Sequence, residues 1–353
     1  MDVSLLPDPE AAALINEMQV HVLINLVGHT AGARHLVTQW RTAPVQAMHY
    51  GYPGTSALPA MDYMQLDVAA APPAHRRDFS ERFAYFPHSH FIAAHTARYP
   101  SVPTATRDAQ PWNAHGNARR RVAASDGEDA TRRDLGLGLP DSRLDGFAMV
   151  NFNQLYKMDA GTYTAWMNAL RRLPGGFLWL SRVTVRKDSS FYAEANLLQE
   201  AAASGMHTGR IALSWRFPEQ DYVAFRALGD LMVDNRNYNA HTTGADALWA
   251  GVPMVALEAR HLAGRASSSF ARALGVASVV TVSMRAYEDV VLDLGVSRQR
   301  LWHLRRRLLH MRDHAPFFDL DLLAQDQERV ARGMLAVFDA GLAPMHVLAA
   351  RSA

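Results

Sequence analysis

The sequence predicts an α/β protein with parallel sheets, arranged as two domains. Three observations carry that expectation. Short apolar, β-branched runs recur along the chain, and helix-patterned stretches separate them. A tract over residues 96–145 interrupts this alternation, dominated by Pro, Ala, Arg, Asp and Gly and lacking any apolar period. Strands joined by helices form βαβ units, whose strands run parallel and are covered on both faces.

The elements follow in order. Val20–Val27 (VHVLINLV) reads as a buried parallel strand ending at Gly28, and Thr30 as the N-cap of a helix running to Trp40. Ala43–Ser56 begins as a strand and breaks at Gly51, Pro53 and Gly54, and Phe83–Phe91 is an aromatic-rich strand. Residues 1–95 are expected to form a partial, Rossmann-like first domain, and 96–145 a flexible linker, with Arg119–Arg121 read as a solvated run because no aromatics are interleaved with it. From Gly146 the alternation is stronger. Strands are expected at 147–152, 177–183, 211–215, 231–235, 252–257 and 279–282. Helices are expected at Ala160–Leu173, Ser190–Ala203, Glu219–Leu228, Thr242–Ala250 and Arg265–Leu274. After Ala286 the pattern is helical almost to Gly341, so the second domain is read as 146–341 with terminal helices.

Composition narrows the chemistry. The chain has 353 residues, 49% of them hydrophobic, a formal charge of +2 and no cysteine. Disulfides, thiol catalysis, zinc–cysteine sites and iron–sulfur ligation are thereby excluded. The small net charge speaks against an extended nucleic-acid footprint. No run approaches the ~20 apolar residues of a membrane span, and the acidic N-terminus has no signal-peptide form, so a soluble intracellular protein is expected. Of the 36 basic residues only Lys157 and Lys187 are lysines.

Two motifs suggest an anion site. In Asn239–Leu257, a strand ending at Asp234 is followed by His241-Thr242-Thr243-Gly244, which opens a helix. Free backbone N–H groups and the positive end of the helix dipole attract anions there. The threonine hydroxyls add donors, Gly244 permits close approach, and Asp246 lies one turn inside, within reach of a ribose. A plain Ser/Thr cap without ligand is the alternative. In Asn151–Asp159 (NFNQLYKMD), Asn153, Gln154 and Lys157 follow a strand, placing a scarce lysine where a phosphate would lie; a solvated loop lysine is the alternative. Tyr50–Ser56 (YGYPGTS) makes a tight turn after a strand. His88, His90 and His95 have a metal-like spacing without a completing acid nearby, which also fits an ordinary strand, and no metal is expected. The glycine fingerprint of nicotinamide enzymes does not occur.

Together, INLVGHTAGAR, APVQAMHYGYPGTS, MDY, NFNQLYK and HTTGADALWAGVPMV resemble the catalytic region of protein O-GlcNAc transferases, a family that includes the SPINDLY-type O-fucosyltransferases. The resemblance covers residues 20–95 and 146–340. It implies a GT-B fold whose second domain holds UDP-GlcNAc without a metal or other cofactor, and inverting transfer of GlcNAc to Ser or Thr of acceptor proteins. It implies that Gln154 and Lys157 contact the diphosphate, with Lys157 stabilising the leaving group, that His241, Thr242 and Thr243 hold it at the helix start, and that Asp246 holds the ribose. Arg34, Gly51 and Pro53 match the sugar and acceptor side. It further implies a cytoplasmic protein, also found in the nucleus, acting without nucleic acid or membrane.

The departures from the family pattern bear on activity. Glu219 and Tyr222 stand where the family has a Lys and a His at the uracil; Tyr222 can stack on a base, whereas Glu219 cannot donate to a carbonyl. His29 replaces a family tyrosine, and the segment bearing the acceptor-side histidines would precede the first strand, so the first domain is expected to be incomplete and turnover by this chain alone weak or nil. The alternatives are a relative that only binds nucleotide, or a protein O-fucosyltransferase using GDP-fucose.

Overall fold

The computed structural model describes residues 2–99, 122–123, 129–182, 187–218 and 221–350, with backbone only for 187–190. Arg119–Arg121, most of the tract read as a linker, and Glu219 lie outside the described residues. The chain divides into two compact units, Met1–Ala93 with Arg260–Ala263 and Pro316–Ala353, and Ala94–Ala259 with Gly264–Ala315.

In chain order the elements begin with α1 (Asp8–Glu17), β1 (Val22–Asn25), α2 (His35–Gln39), β2 (Val45–Met48), β3 (Tyr63–Leu66) and β4 (Arg82–Tyr85). There follow α3 (His95–Arg98), a small hairpin of β5 (Val122–Ala123) and β6 (Asp129–Ala130), and α4 (Asp141–Leu144). The second sheet and its helices are β7 (Ala148–Asn151), α5 (Ala160–Arg171), β8 (Phe177–Ser181), α6 (Lys187–Ala203), β9 (Ile211–Ser214), β10 (Leu231–Val233), α7 (Thr242–Trp249), β11 (Met254–Leu257), α8 (Ala266–Ala273) and β12 (Val280–Thr281). The chain closes with α9 (Met284–Val296), α10 (Arg298–Arg312), α11 (Leu320–Asp339) and β13 (Val347–Leu348).

Both sheets are parallel, as expected. The first runs β1-β2-β3-β4-β13 and the second β12-β11-β10-β7-β8-β9. Numbered within its own unit, the second sheet has the order 3-2-1-4-5-6 of the doubly wound nucleotide-binding fold, and that order reverses between β7 and β10. Strands β7, β8 and β9 are buried at every position, which matches an apolar sequence that runs up to the last residue of each, Asn151, Ser181 and Ser214. Helix α5 starts where the Asp159 carboxylate accepts the Thr162 N–H at 3.1 Å.

Local detail departs from the sequence reading in four places. Thr30 does not cap a helix: its hydroxyl donates to Val27 O at 2.8 Å, Gly32 turns the chain at φ +82°, and α2 starts only at His35. The described part of the helix expected over Glu219–Leu228 is a turn and a 3-10 stretch at Phe225–Leu228. The single helical run after Ala286 is three helices, restarted by caps at Ser297 and Asp319. The domain boundaries also move. Helix α11 belongs to the first unit because Val330 and Met334 are buried against Val45, Tyr63, Ala84 and Phe86, and β13 pairs with β4 beside it. Residues 129–145 belong to the second unit, where Arg132 is buried with Asp230 at 2.6 Å and donates to the carbonyls of Leu228, Leu144 and Gly146.

Candidate nucleotide site at the switch point

Ligands of doubly wound sheets bind beyond the carboxyl ends of the strands, where the strand order reverses. In the second unit these ends are Asn151 of β7 and the residues after Val233 of β10. Asn151 Nδ2 joins them, donating to Val233 O at 2.7 Å and Asn235 Oδ1 at 3.0 Å.

Lys157 ends a short 3-10 turn that begins after Gln154, which is half-buried. Its Nζ donates to Asn239 O at 3.1 Å and lies 3.9 Å from the centre of the Tyr238 ring. An ammonium over an aromatic face is held by the ring's quadrupole. Burial lowers the Lys157 pKa, and the negative charge of Asp234 opposes that shift. Tyr238 also meets His241 and the exposed Tyr156 edge-on. Two motifs 82 residues apart thus meet, and the lysine is no solvated loop residue.

Asn239 and Ala240 lead directly into α7. No side chain caps this helix, whose first intrahelical bonds run from Gly244 N and Ala245 N to His241 O at 2.9 and 3.0 Å. Its first turn therefore offers the N–H groups of Thr242 and Thr243 to an anion. The two threonines differ. Thr242 is exposed, whereas Thr243 Oγ1 donates to Asn153 Oδ1 at 2.6 Å, so its proton is already used inside the protein. Gly244 also has a different part from the one expected: a Cβ there would press on Ala240 Cβ at 3.0 Å and the Met254 sulfur at 3.3 Å, so the glycine serves tight packing of α7.

Asp246 is enclosed, at 3% exposure. His95 Nε2 bonds its Oδ1 at 2.9 Å, and the guanidinium of Arg226 stands 3.4 Å from Oδ2. Arg226 also donates to Thr243 O at 2.8 Å and packs over Phe152 and Tyr222. The ribose contact expected of Asp246 thus meets a carboxylate already engaged on both oxygens. Tyr222 in turn has Arg226 at 4.1 Å and Arg216 at 5.0 Å from its ring centre, so the ring expected to stack on a base carries guanidinium groups.

The sequence profile of glycosyl transferase family 41 matches residues 1–126 and 115–327. The chain belongs to glycosyl transferase family 41. It is 29% identical over 347 residues to the probable UDP-N-acetylglucosamine–peptide N-acetylglucosaminyltransferase SEC of Arabidopsis thaliana, covering 98% of this chain and 32% of that protein. To the UDP-N-acetylglucosamine–peptide N-acetylglucosaminyltransferase of Caenorhabditis elegans it is 26% identical, covering 98% of this chain and 37% of the other. The chain thus spans about a third of the length of these curated relatives. A solved mutant of the Thermobaculum terrenum O-GlcNAc transferase shares the fold, with a TM-score of 0.75 at 24% identity over 96% of this chain and 58% of that one. The expected GT-B class, with its two Rossmann-like sheets, stands.

In this family 41 chain the first-unit residues have local duties. Arg34 is spent on the N-terminal segment, bonding Asp8 at 2.6 Å and the carbonyls of Val3 and Leu6 at 2.7 and 2.6 Å. Gly51 lies so close to the next strand's end that a Cβ would land on Leu26 O, and Pro53 is half-buried in the same loop. Glu81 receives the backbone and hydroxyl of Ser56, and His29 Nε2 bonds Ser56 O at 2.7 Å, so both hold the YGYPGTS loop. The histidines with metal-like spacing go to three different carboxylates: His88 to Asp326, His90 to Asp67 and His95 to Asp246. Among the described residues no group of three His, Cys, Asp or Glu is placed to share a metal, and no helix is long and apolar enough to cross a membrane.

Asp234, Ser267, Arg226 and Tyr238 were not singled out by motif. The one signal for Asp234 was an acid ending an apolar strand, LMVDN. The other three lie outside any spacing pattern and act through partners distant in sequence.

Proposed function

We propose that the second unit binds the diphosphate of a UDP-sugar at the switch point, and that the chain transfers GlcNAc from UDP-GlcNAc to Ser or Thr hydroxyls of acceptor proteins. The observation that carries the reading is the meeting of Lys157 with the segment that enters the uncapped start of α7. The hydroxyl oxygen attacks the anomeric carbon with inversion, and its proton passes to solvent water. The bond from that carbon to the β-phosphate oxygen breaks, and its electron pair leaves with UDP. Negative charge grows on the diphosphate as the bond breaks. Lys157, the N–H groups of Thr242 and Thr243, and the Thr242 hydroxyl supply fixed positive charge and donors for it, in place of a metal. Gln154 and His241 flank the same anion. Asp246 stays in this reading as a ribose contact that requires displacement of His95. Peptide acceptors are supported by the activities for which the Arabidopsis and Caenorhabditis relatives are named.

A second donor, GDP-fucose, has one observation in its favour: the guanidinium groups beside Tyr222 suit the acceptor edge of guanine as well as a uracil carbonyl. Calorimetric titration with UDP and GDP in parallel separates the two, and transfer of labelled GlcNAc to a peptide tests the reaction. UDP affinity well above GDP affinity, with label transferred, supports the reading. Absence of UDP binding defeats it, and binding without transfer leaves a nucleotide-binding relative.

A further inference from the structure

Behind the anion site lies a carboxylate that the proposed reaction does not use. Asp234 is 1% exposed, and the donors that reach it come from four segments. Its Oδ1 accepts Asn153 Nδ2 at 3.1 Å, Ala240 N at 2.9 Å and Asn235 N at 2.8 Å, and its Oδ2 accepts the hydroxyl of Ser267, the second residue of α8. Each of these groups continues to a part of the site. Asn153 Oδ1 takes the Thr243 hydroxyl at the start of α7. Ala240 follows Asn239, whose carbonyl takes the Lys157 ammonium. Ser267 N donates to Asn239 Oδ1 at 3.2 Å, and Asn239 Nδ2 donates to Asn235 O at 2.6 Å.

We propose that Asp234 is a positioning residue of the nucleotide site, a buried charge that holds Lys157 in its charged, inward position and helps to fix the start of α7. Enclosing an ionised carboxylate is costly unless hydrogen bonds and an opposite charge compensate it, and here both sources of compensation belong to the binding apparatus. Burial raises the Asp234 carboxyl to about 6, against its hydrogen bonds and the charge of Lys157. The coupling is mutual, because the same carboxylate offsets the desolvation of Lys157. The Tyr287 hydroxyl of α9 also faces this residue, donating to Asp234 O at 2.9 Å, while Arg236, two residues on, pairs with Asp159 at 3.0 Å. The role rests on the diphosphate reading for its purpose but not for its test.

The chain's two lysines make the test direct. In the full chain labelled with 13Cε-lysine, two resonances titrate, and K157R identifies that of Lys157. In D234N the protonation constant of Lys157 is expected to fall on the order of tenfold while that of Lys187 stays, as expected for losing a nearby charge at an effective dielectric of ~20. UDP affinity is expected to fall about tenfold in the same variant. A D234N chain that melts cooperatively with Lys157 titrating as before overturns the proposal. Where D234N does not fold, the wild-type Lys157 resonance provides the readout: it should show a step near pH 6 as Asp234 ionises, and S267A should move that step to higher pH. A Lys157 resonance without that step, or one unmoved by S267A, overturns the proposal as well. If the lysine titrations behave as expected and UDP does not bind, the donor reading fails and the positioning role stands.

Discussion

Replacing Lys157 by Met should separate binding from stability. Methionine keeps the unbranched stem and removes the charge. A charge-assisted contact to a phosphate contributes about 1.5–3 kcal/mol, so the UDP dissociation constant should rise roughly 10- to 150-fold. The folded chain loses the bond to Asn239 O and the contact with the Tyr238 ring, together about 1–3 kcal/mol. It also escapes the desolvation that lowers the lysine's pKa. The sign follows from that direction: a lysine whose folded pKa lies below its unfolded value weakens the fold while charged, and the penalty fades as pH rises through the folded value toward 10.5. The opposing terms leave a stability change within about 1 kcal/mol at pH 7. Calorimetric titration with UDP and a thermal melt on the same preparations measure both quantities. A K157M chain that binds UDP within twofold of wild type refutes the placement of the diphosphate; a large loss of stability refutes the balance drawn for the buried ammonium.

Three further outcomes are expected. R132A should cost about 3–5 kcal/mol by removing a guanidinium that pairs with the buried Asp230 and serves three carbonyls, with Arg298 left to act on the carboxylate, lowering the melting temperature of the second unit by ~6–20 °C; D230N added to it should recover part of the loss, and a change below 1 kcal/mol would contradict the anchor. His49, whose pKa burial lowers from 6.5 to about 4, favours the fold as a neutral ring, so its contribution is complete above pH 6.5 and lost as pH falls toward 4, up to ~3 kcal/mol. Urea unfolding at pH 7 and 4.5 should show a smaller acid loss in H49Q than in wild type, and equal losses would count against it. G51A should destabilise the first unit by about 1–3 kcal/mol, read by denaturant unfolding, because the added methyl meets the Leu26 carbonyl; an unchanged midpoint would mean the loop moves freely.

Much of the second unit was legible because each strand is a buried apolar run and each expected strand contains an observed one. Lys157 and HTTG were legible for a different reason: a rare lysine and a helix start both followed strands, and the sheet order carried them together. What the sequence concealed depends on contacts across long separations. Arg34 matches a sugar- and acceptor-side position in the sequence, and only the fold shows its bonds to Asp8 and two carbonyls. Thr243 reads as a donor until Asn153 takes its proton across 90 residues. Strand β3 buries the polar Gln65 at its centre and so does not read as an apolar run, and β13 is two residues long and recognisable only by its pairing with β4. The tract at 96–145 reads as a linker because a buried arginine such as Arg132 cannot be told from a solvated one by composition.

The return of α11 and β13 to the first sheet has a practical consequence for dissecting the protein. The unit that carries Lys157 is spliced into the middle of the other, so cutting the chain after Ala315 would damage the first unit, removing the strand that lies along β4 and the helix whose Val330 and Met334 seal its sheet. The reverse excision is the sound one. A piece spanning 94–315 contains every residue assigned to the second unit, with only Arg260–Ala263 foreign to it, and can be offered nucleotide with the first unit left behind.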